Sequence, residues 1–150
     1  MIKRLTIFVT ICLCQLAILG SPALAQNAQS LVGRWVITVT NVDNPSFSAV
    51  ADVKYDYDRE IAVAVLIAQD SCCDGQNYAK VKQQSVLSIF EGQIFVRSKI
   101  ETFLELKEGL PNVTYNADNF DLTWENRDTL VGTLNNTATV QWVRGAGNIS

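Results

Sequence analysis

Phe120-Asp121-Leu122-Thr123-Trp124-Glu125 and, after a short turn, Thr129-Leu130-Val131-Gly132-Thr133-Leu134-Asn135-Asn136-Thr137-Ala138-Thr139-Val140-Gln141-Trp142-Val143-Arg144 decide how this chain folds. Phe120, Leu122 and Trp124 alternate with Asp121, Thr123 and Glu125, a period of two that puts the first set on a buried face. A helix would repeat its apolar positions at three and four residues, and this stretch does not. Asn135-Asn136 joins two further β-rich segments, and asparagine tolerates the positive φ of a tight hairpin. The stretch therefore predicts strands at 118–125, 129–134 and 137–144.

The same pattern extends back to residue 31, with turn chemistry about every ten residues. It predicts strands at 31–41, 47–57, 60–69, 78–90 and 93–106. The intervening turns lie at 41–45, Asp58-Arg59, 70–77, Glu91-Gly92 and 107–116. No segment carries a helical stripe with a cap at each end. Eight strands with short connections pair most simply as neighbours, and an even number lets the first and last meet antiparallel. The expected fold is all-β, an eight-stranded antiparallel up-and-down barrel, because closure removes both exposed edges. A two-sheet sandwich uses the same alternation but needs longer crossovers. Strict alternation turns Phe47, Ala49, Ala51, Val53, Tyr55 and Tyr57 inward on the second strand. On the fifth it turns Ile94, Val96, Ser98, Ile100, Thr102, Leu104 and Leu106 inward. The strand at 61–68 is apolar on both faces, so its outer face is covered either within the monomer or by a partner chain.

The chain has 150 residues, 48% hydrophobic and 18% charged, which suits one globular domain. Its formal net charge of -3 and the lack of any Lys/Arg run argue against nucleic-acid binding. The sequence holds no histidine, which removes the commonest general base, the Ser-His and Cys-His pairs and most zinc sites. No catalytic residue, cofactor site or metal site is assigned, and the expectation is a protein that is not an enzyme. Residues 1–25 read as a cleaved signal peptide: Lys3 and Arg4, an apolar run from Leu5 to Gly20, then Ala23-Leu24-Ala25 as a small-x-small cleavage site before Gln26. Cys12 follows Ile11 and Cys14 follows Leu13, which disfavours a lipid anchor, and the run is short for a membrane span. The expected product is a periplasmic or secreted domain, 26–150, without a stable membrane anchor. Loss of Lys3 and Arg4 would leave 10 basic against 15 acidic residues, or -5.

Leu31-Val32-Gly33-Arg34-Trp35 resembles the Gly-x-Trp signature on the first strand of the lipocalin and calycin group of small barrels. Val140-Gln141-Trp142-Val143-Arg144 resembles that group's last strand, whose arginine packs over the first-strand tryptophan. The resemblance implies that Trp35 closes one end of the barrel and that the Arg144 guanidinium stacks on it as a structural pair. The absence of a C-terminal helix brings the chain nearer the compact bacterial lipocalin-like, avidin-like or protease-inhibitor barrels. The function it implies is an exported protein holding a small apolar ligand. The alternative is a solid-cored interaction module, such as a periplasmic protease inhibitor or an envelope-assembly partner.

Aromatic residues (Phe47, Tyr55, Tyr57, Trp124 and Trp142) and small ones (Ala49, Ala51, Ser88, Ser98, Thr102 and Gly132) both fall on the interior face. The aromatics are the candidate ligand contacts around a cavity near one end. A core filled by alternating large and small residues uses the same composition. Asp70-Ser71-Cys72-Cys73-Asp74-Gly75 is the most unusual local sequence. In an oxidising compartment Cys72 and Cys73 can form a vicinal disulfide, bond another chain or hold a soft metal with Asp70 and Asp74. Two free thiols are the plain alternative. Asp56, Asp58 and Glu60 alternate around a turn without the glycine and distant glutamate of an EF-hand, so they read as a solvated hairpin tip.

Overall fold

The computed structural model describes residues 27–40, 46–110 and 114–145. The signal peptide expected at 1–25, the cleavage site expected before Gln26 and the turn expected at 41–45 lie outside the described residues. Eight antiparallel strands close into a barrel in sequence order: β1 (Gly33–Val39), β2 (Ser48–Asp56), β3 (Ile61–Cys72), β4 (Asn77–Phe90), β5 (Gln93–Glu108), β6 (Phe120–Asn126), β7 (Thr129–Leu134) and β8 (Ala138–Arg144). Closure runs through β1 and β8, with Trp35 opposite Arg144 and Ile37 opposite Trp142. The up-and-down barrel expected from the alternation is the fold.

The interior is filled unequally around its circumference. Strands β2 and β3 turn Ala49, Ala51, Ala62, Ala64 and Ala68 inward. The bulk comes from Trp35, which pairs with Ala51 on the neighbouring strand, and from Trp142, Phe120, Leu122 and Leu130 on β6 to β8. Their rings form a column along the barrel. Trp124 meets Trp35 at 6.0 Å, Trp35 meets Trp142 at 6.4 Å, Trp142 meets Phe120 at 5.0 Å, and Phe120 meets Phe47 at 6.4 Å. Mostly edge-on and tilted, these contacts suit aromatic quadrupoles. Gly132 is the small residue that packing demands on β7, since a Cβ there would lie 1.9 Å from the Asp121 carbonyl oxygen.

Four interior assignments are corrected. Tyr57 lies past the end of β2 and is 76% exposed, because the Asp56 carboxylate accepts the amides of Asp58 and Arg59 and starts the turn there. Ser88 is exposed between the inward Leu87 and Ile89. On β5 the alternation fails after Ile100. The pairing with β4 runs Gln83 to Ile100, Lys82 to Thr102, Val81 to Phe103 and Lys80 to Glu105, so Glu101 and Leu104 are extra residues in two bulges. Each bulge resets the parity. Thr102 and Leu104 are exposed, and Phe103 takes the register position opposite the buried Val81.

The outer face of β3 carries Ile61, Val63, Val65 and Ile67, none of them fully buried. Val143, Val36, Val50 and Ile67 line up across four strands through successive pairings.

The barrel's two ends differ in height. Strand β5 pairs with β6 only from Gln93 to Val96, and then runs on beside β4 to Glu108. Strand β3 likewise continues to Cys72 opposite Asn77. The three strands make a wall on one side of the mouth. Residues 114–119 return along its inner side, and Asn119 Oδ1 accepts the Ser98 amide at 3.0 Å where β5 leaves β6.

Candidate functional site

At the closed end, the 3-10 turn Ala28–Leu31 crosses the barrel and buries Leu31 completely. Trp35 is also fully buried and donates its indole N–H to the Leu31 carbonyl at 2.8 Å. The Arg144 guanidinium carbon lies 4.3 Å from the Trp35 ring centroid. Its nitrogens donate to the Val32 carbonyl (2.8 Å), the Ser30 carbonyl (3.0 Å) and the Asp128 carboxylate (3.0 Å). Stacking leaves the edge of the guanidinium plane free for these bonds, a geometry that only arginine's planar fork supplies. Gly33 makes room for it. Its φ is +132°, and a Cβ there would stand 2.9 Å from Arg144 Nη1. The glycine, tryptophan and arginine singled out in the sequence thus form one closed plug.

At the mouth the barrel is not filled. A cavity of about 430 Å³ lies between the high wall and the returning segment. Its apolar side is made by Val39, Phe47, Ala79, Leu134 and Ala138, and its polar side includes Asp70, Asn77, Lys107, Tyr115 and Asp118. Phe47 ends the aromatic column here. Asn77, buried at the start of β4, holds the Leu110 amide at 2.9 Å and so fixes where β5 turns back over the opening.

Beneath the cavity is a polar cluster. Gln83 is fully buried, with its carboxamide oxygen accepting the Asp118 amide at 2.9 Å and its nitrogen donating to Asp118 Oδ2. The Tyr115 hydroxyl donates to the same Oδ2. Burial pushes the Asp118 pKa up to about 6, even though both hydrogen bonds oppose the shift. The Tyr115 hydroxyl is pushed upward as well, first by its own burial and then by the neighbouring Asp118 charge.

Of the five aromatic contacts expected from the sequence, Phe47 lines this cavity. Trp142 and Trp124 belong to the packed column below it. Tyr55 and Tyr57 pack edge to face at 4.9 Å near the β2–β3 turn, at the other end of the barrel. Ser98 faces inward and shares a hydrogen bond with Ser85 at 2.8 Å. Cys72 and Cys73 are exposed free thiols in the β3–β4 turn, their Sγ atoms 2.8 Å apart, and Cys72 lies on the cavity rim. Their hydrogen bond is the main cause holding the Cys72 thiol above its ordinary pKa. Among the described residues no cluster of three metal-ligating side chains occurs.

Sequence reading did not single out Gln83, Tyr115 or Asp118. Gln83 carries a usable signal, since it shares parity with Val81, Ser85 and Leu87 and must turn an amide into the barrel. Asp118 carries none, because its partner lies 35 residues away. No protein-family model matches this chain, and neither does any curated protein sequence.

Proposed function

We propose that this is an exported, lipocalin-like binding protein that takes a small, largely apolar molecule into the mouth of the barrel and performs no chemistry on it. The observation that carries the reading is the cavity of about 430 Å³. Its volume is in the range of small-molecule sites, and it joins an apolar wall to a few convergent polar groups. The contrast with the plugged end adds support, since side chains that fill one half of the barrel leave the other half open.

Native mass spectrometry of the protein purified from its own host tests this directly. A bound small molecule that is lost on Ala138→Phe, which fills the cavity, is the expected result. An apo mass throughout, together with no displaceable binding of any apolar fluorescent probe, would overturn it.

A second reading, an interaction module, rests on the outer half of β5. Phe103 and Leu104 are 42% and 47% exposed there, on a strand that pairs with no strand beyond Val96 on its β6 side among the described residues. Such an edge is a template for strand addition, although two bulges blunt it. Light scattering at rising concentration, with Phe103→Lys as the control, separates this reading from the first.

A further inference from the structure

The polar floor of the cavity narrows the ligand's chemistry. Asp118 is only 4% exposed and lines the cavity. Both side-chain donors that reach it, Gln83 Nε2 and the Tyr115 hydroxyl, converge on Oδ2. Oδ1 accepts from no group among the described residues. The described ion pairs give Asp118 no cation either. Lys107, the one cation on the cavity wall, donates to the Gly75 carbonyl at 2.7 Å. Oδ1 is not among the fully buried atoms left without a partner, so it is open to the cavity, and a largely buried carboxylate is stabilised when a charged donor reaches it.

The surroundings add to the preference. Asp70 and Glu108 stand on the same cavity wall as Asp118, three acids against Lys107. Focused between low-dielectric walls, that imbalance draws cations and repels anions. The opposite side carries Val39, Phe47, Leu134 and Ala138, with Ser46, Asn135 and Thr137 as its uncharged polar groups.

We propose that the ligand is a cationic amphiphile, an ammonium group donating to Asp118 Oδ1 with its apolar body against Phe47 and Leu134. This rests on the reading of the mouth as a binding site and specifies its ligand. Fatty acids and other anionic amphiphiles are excluded by the same charges.

The test compares octylamine, octan-1-ol and octanoate, which share a chain and differ in the head group, by calorimetry at pH 7.5. Octylamine should bind about tenfold or more tightly than octanol, the margin of a hydrogen bond to a charged group, and octanoate should bind worst. Asp118→Asn should abolish the amine preference, read as the ratio of octylamine to octanol affinity. Should that variant fail to fold, the pH profile of the native protein decides. The amine preference over octanol should fall away below about pH 6 as Asp118 protonates. Of the other titratable groups facing the cavity, Asp70, Cys72, Tyr78, Lys107, Glu108 and Tyr115, the carboxylates Asp70 and Glu108 also act on the cation and hardly on the alcohol, so the same profile is taken in Asp70→Asn and Glu108→Gln: a step that survives in both belongs to Asp118, and a step lost in either overturns its assignment to Asp118. Octanol or octanoate binding as well as octylamine would overturn the cationic head group and leave the binding site standing. No binding of any of the three would overturn both.

Discussion

Each end of the barrel holds a charge, half-buried at the plug and buried at the mouth, and the two ends treat it oppositely. At the plug, Arg144 is stacked on Trp35 and makes three side-chain hydrogen bonds, so its charge is compensated on every side. At the mouth, Asp118 keeps two donors on one oxygen and none on the other, and its pKa rises to about 6. A compensated charge holds the structure together. An uncompensated one weakens it, which on the binding reading proposed above is stability given up at the site.

Replacing the plug should produce the largest effect. Trp35→Ala removes a fully buried indole from the foot of the aromatic column and should destabilise the protein by about 3 to 5 kcal/mol. Arg144→Lys should not restore what Arg144→Ala loses, because an ammonium cannot stack and donate to three acceptors together. Chemical denaturation measures each, and a double-mutant cycle between positions 35 and 144 should give a clear coupling. Zero coupling would reduce the pair to ordinary packing and erase the contrast between the ends.

The mouth should respond to pH with the opposite sign from an ordinary ion-paired acid. The Asp118 pKa is raised from 3.8 to about 6 on folding. The group is therefore least unfavourable below pH 3.8, and stability falls as pH rises through 6. The window is worth on the order of 3 kcal/mol. Asp118→Asn should be more stable than the native protein at pH 7.5 and should flatten the profile between pH 4 and 7. Urea midpoints across that range test it. A variant that is less stable at pH 7.5 would mean that Asp118 is as well compensated as Arg144.

Gly33→Ala sharpens the comparison from the plug side. A side chain at φ +132° is strained, and its Cβ would press on Arg144 Nη1, which the Val32 carbonyl holds in place. A loss of roughly 2 kcal/mol is expected, and it should shrink once Arg144 is also replaced by alanine, because the clash goes with it. Equal losses in both backgrounds would assign the glycine to backbone strain alone.

The plug was legible in the sequence and the mouth was not, for a physical reason. Gly33, Trp35 and Arg144 sit on regular strands, where parity and pairing of the chain ends fix their mutual positions. Strand number and closure follow from the same period of two. The mouth is built where regularity stops. Glu101 and Leu104 are single-residue insertions that no composition announces; the first moves the side chains after it to the other face, and the second moves them back. Tyr57 left the interior because the Asp56 turn, a local hydrogen-bond choice, ended β2 first. The pairing of Gln83 with Asp118 depends on how the returning segment crosses the opening, which is a property of the closed barrel and not of either neighbourhood.

Tyr115→Phe should give the smallest change and ask the most specific question. Phenylalanine keeps the ring that packs against Phe103, 6.4 Å between centroids, and removes only the hydroxyl that donates to Asp118. That hydrogen bond favours the ionised carboxylate, so its loss should raise the Asp118 pKa above about 6. The sign of the stability change follows. Near pH 4 Asp118 is protonated in the folded state and the missing donor matters little. At pH 7.5 the carboxylate must ionise with one donor fewer, and the variant should be less stable by about 1 kcal/mol. Carbonyl-detected NMR titration of Asp118 reads the pKa, and paired urea midpoints read the stability. A pKa that does not move would show that Tyr115 only fills space, whereas an upward shift with a loss confined to high pH would identify it as one of the two donors that keep the mouth's charge tolerable.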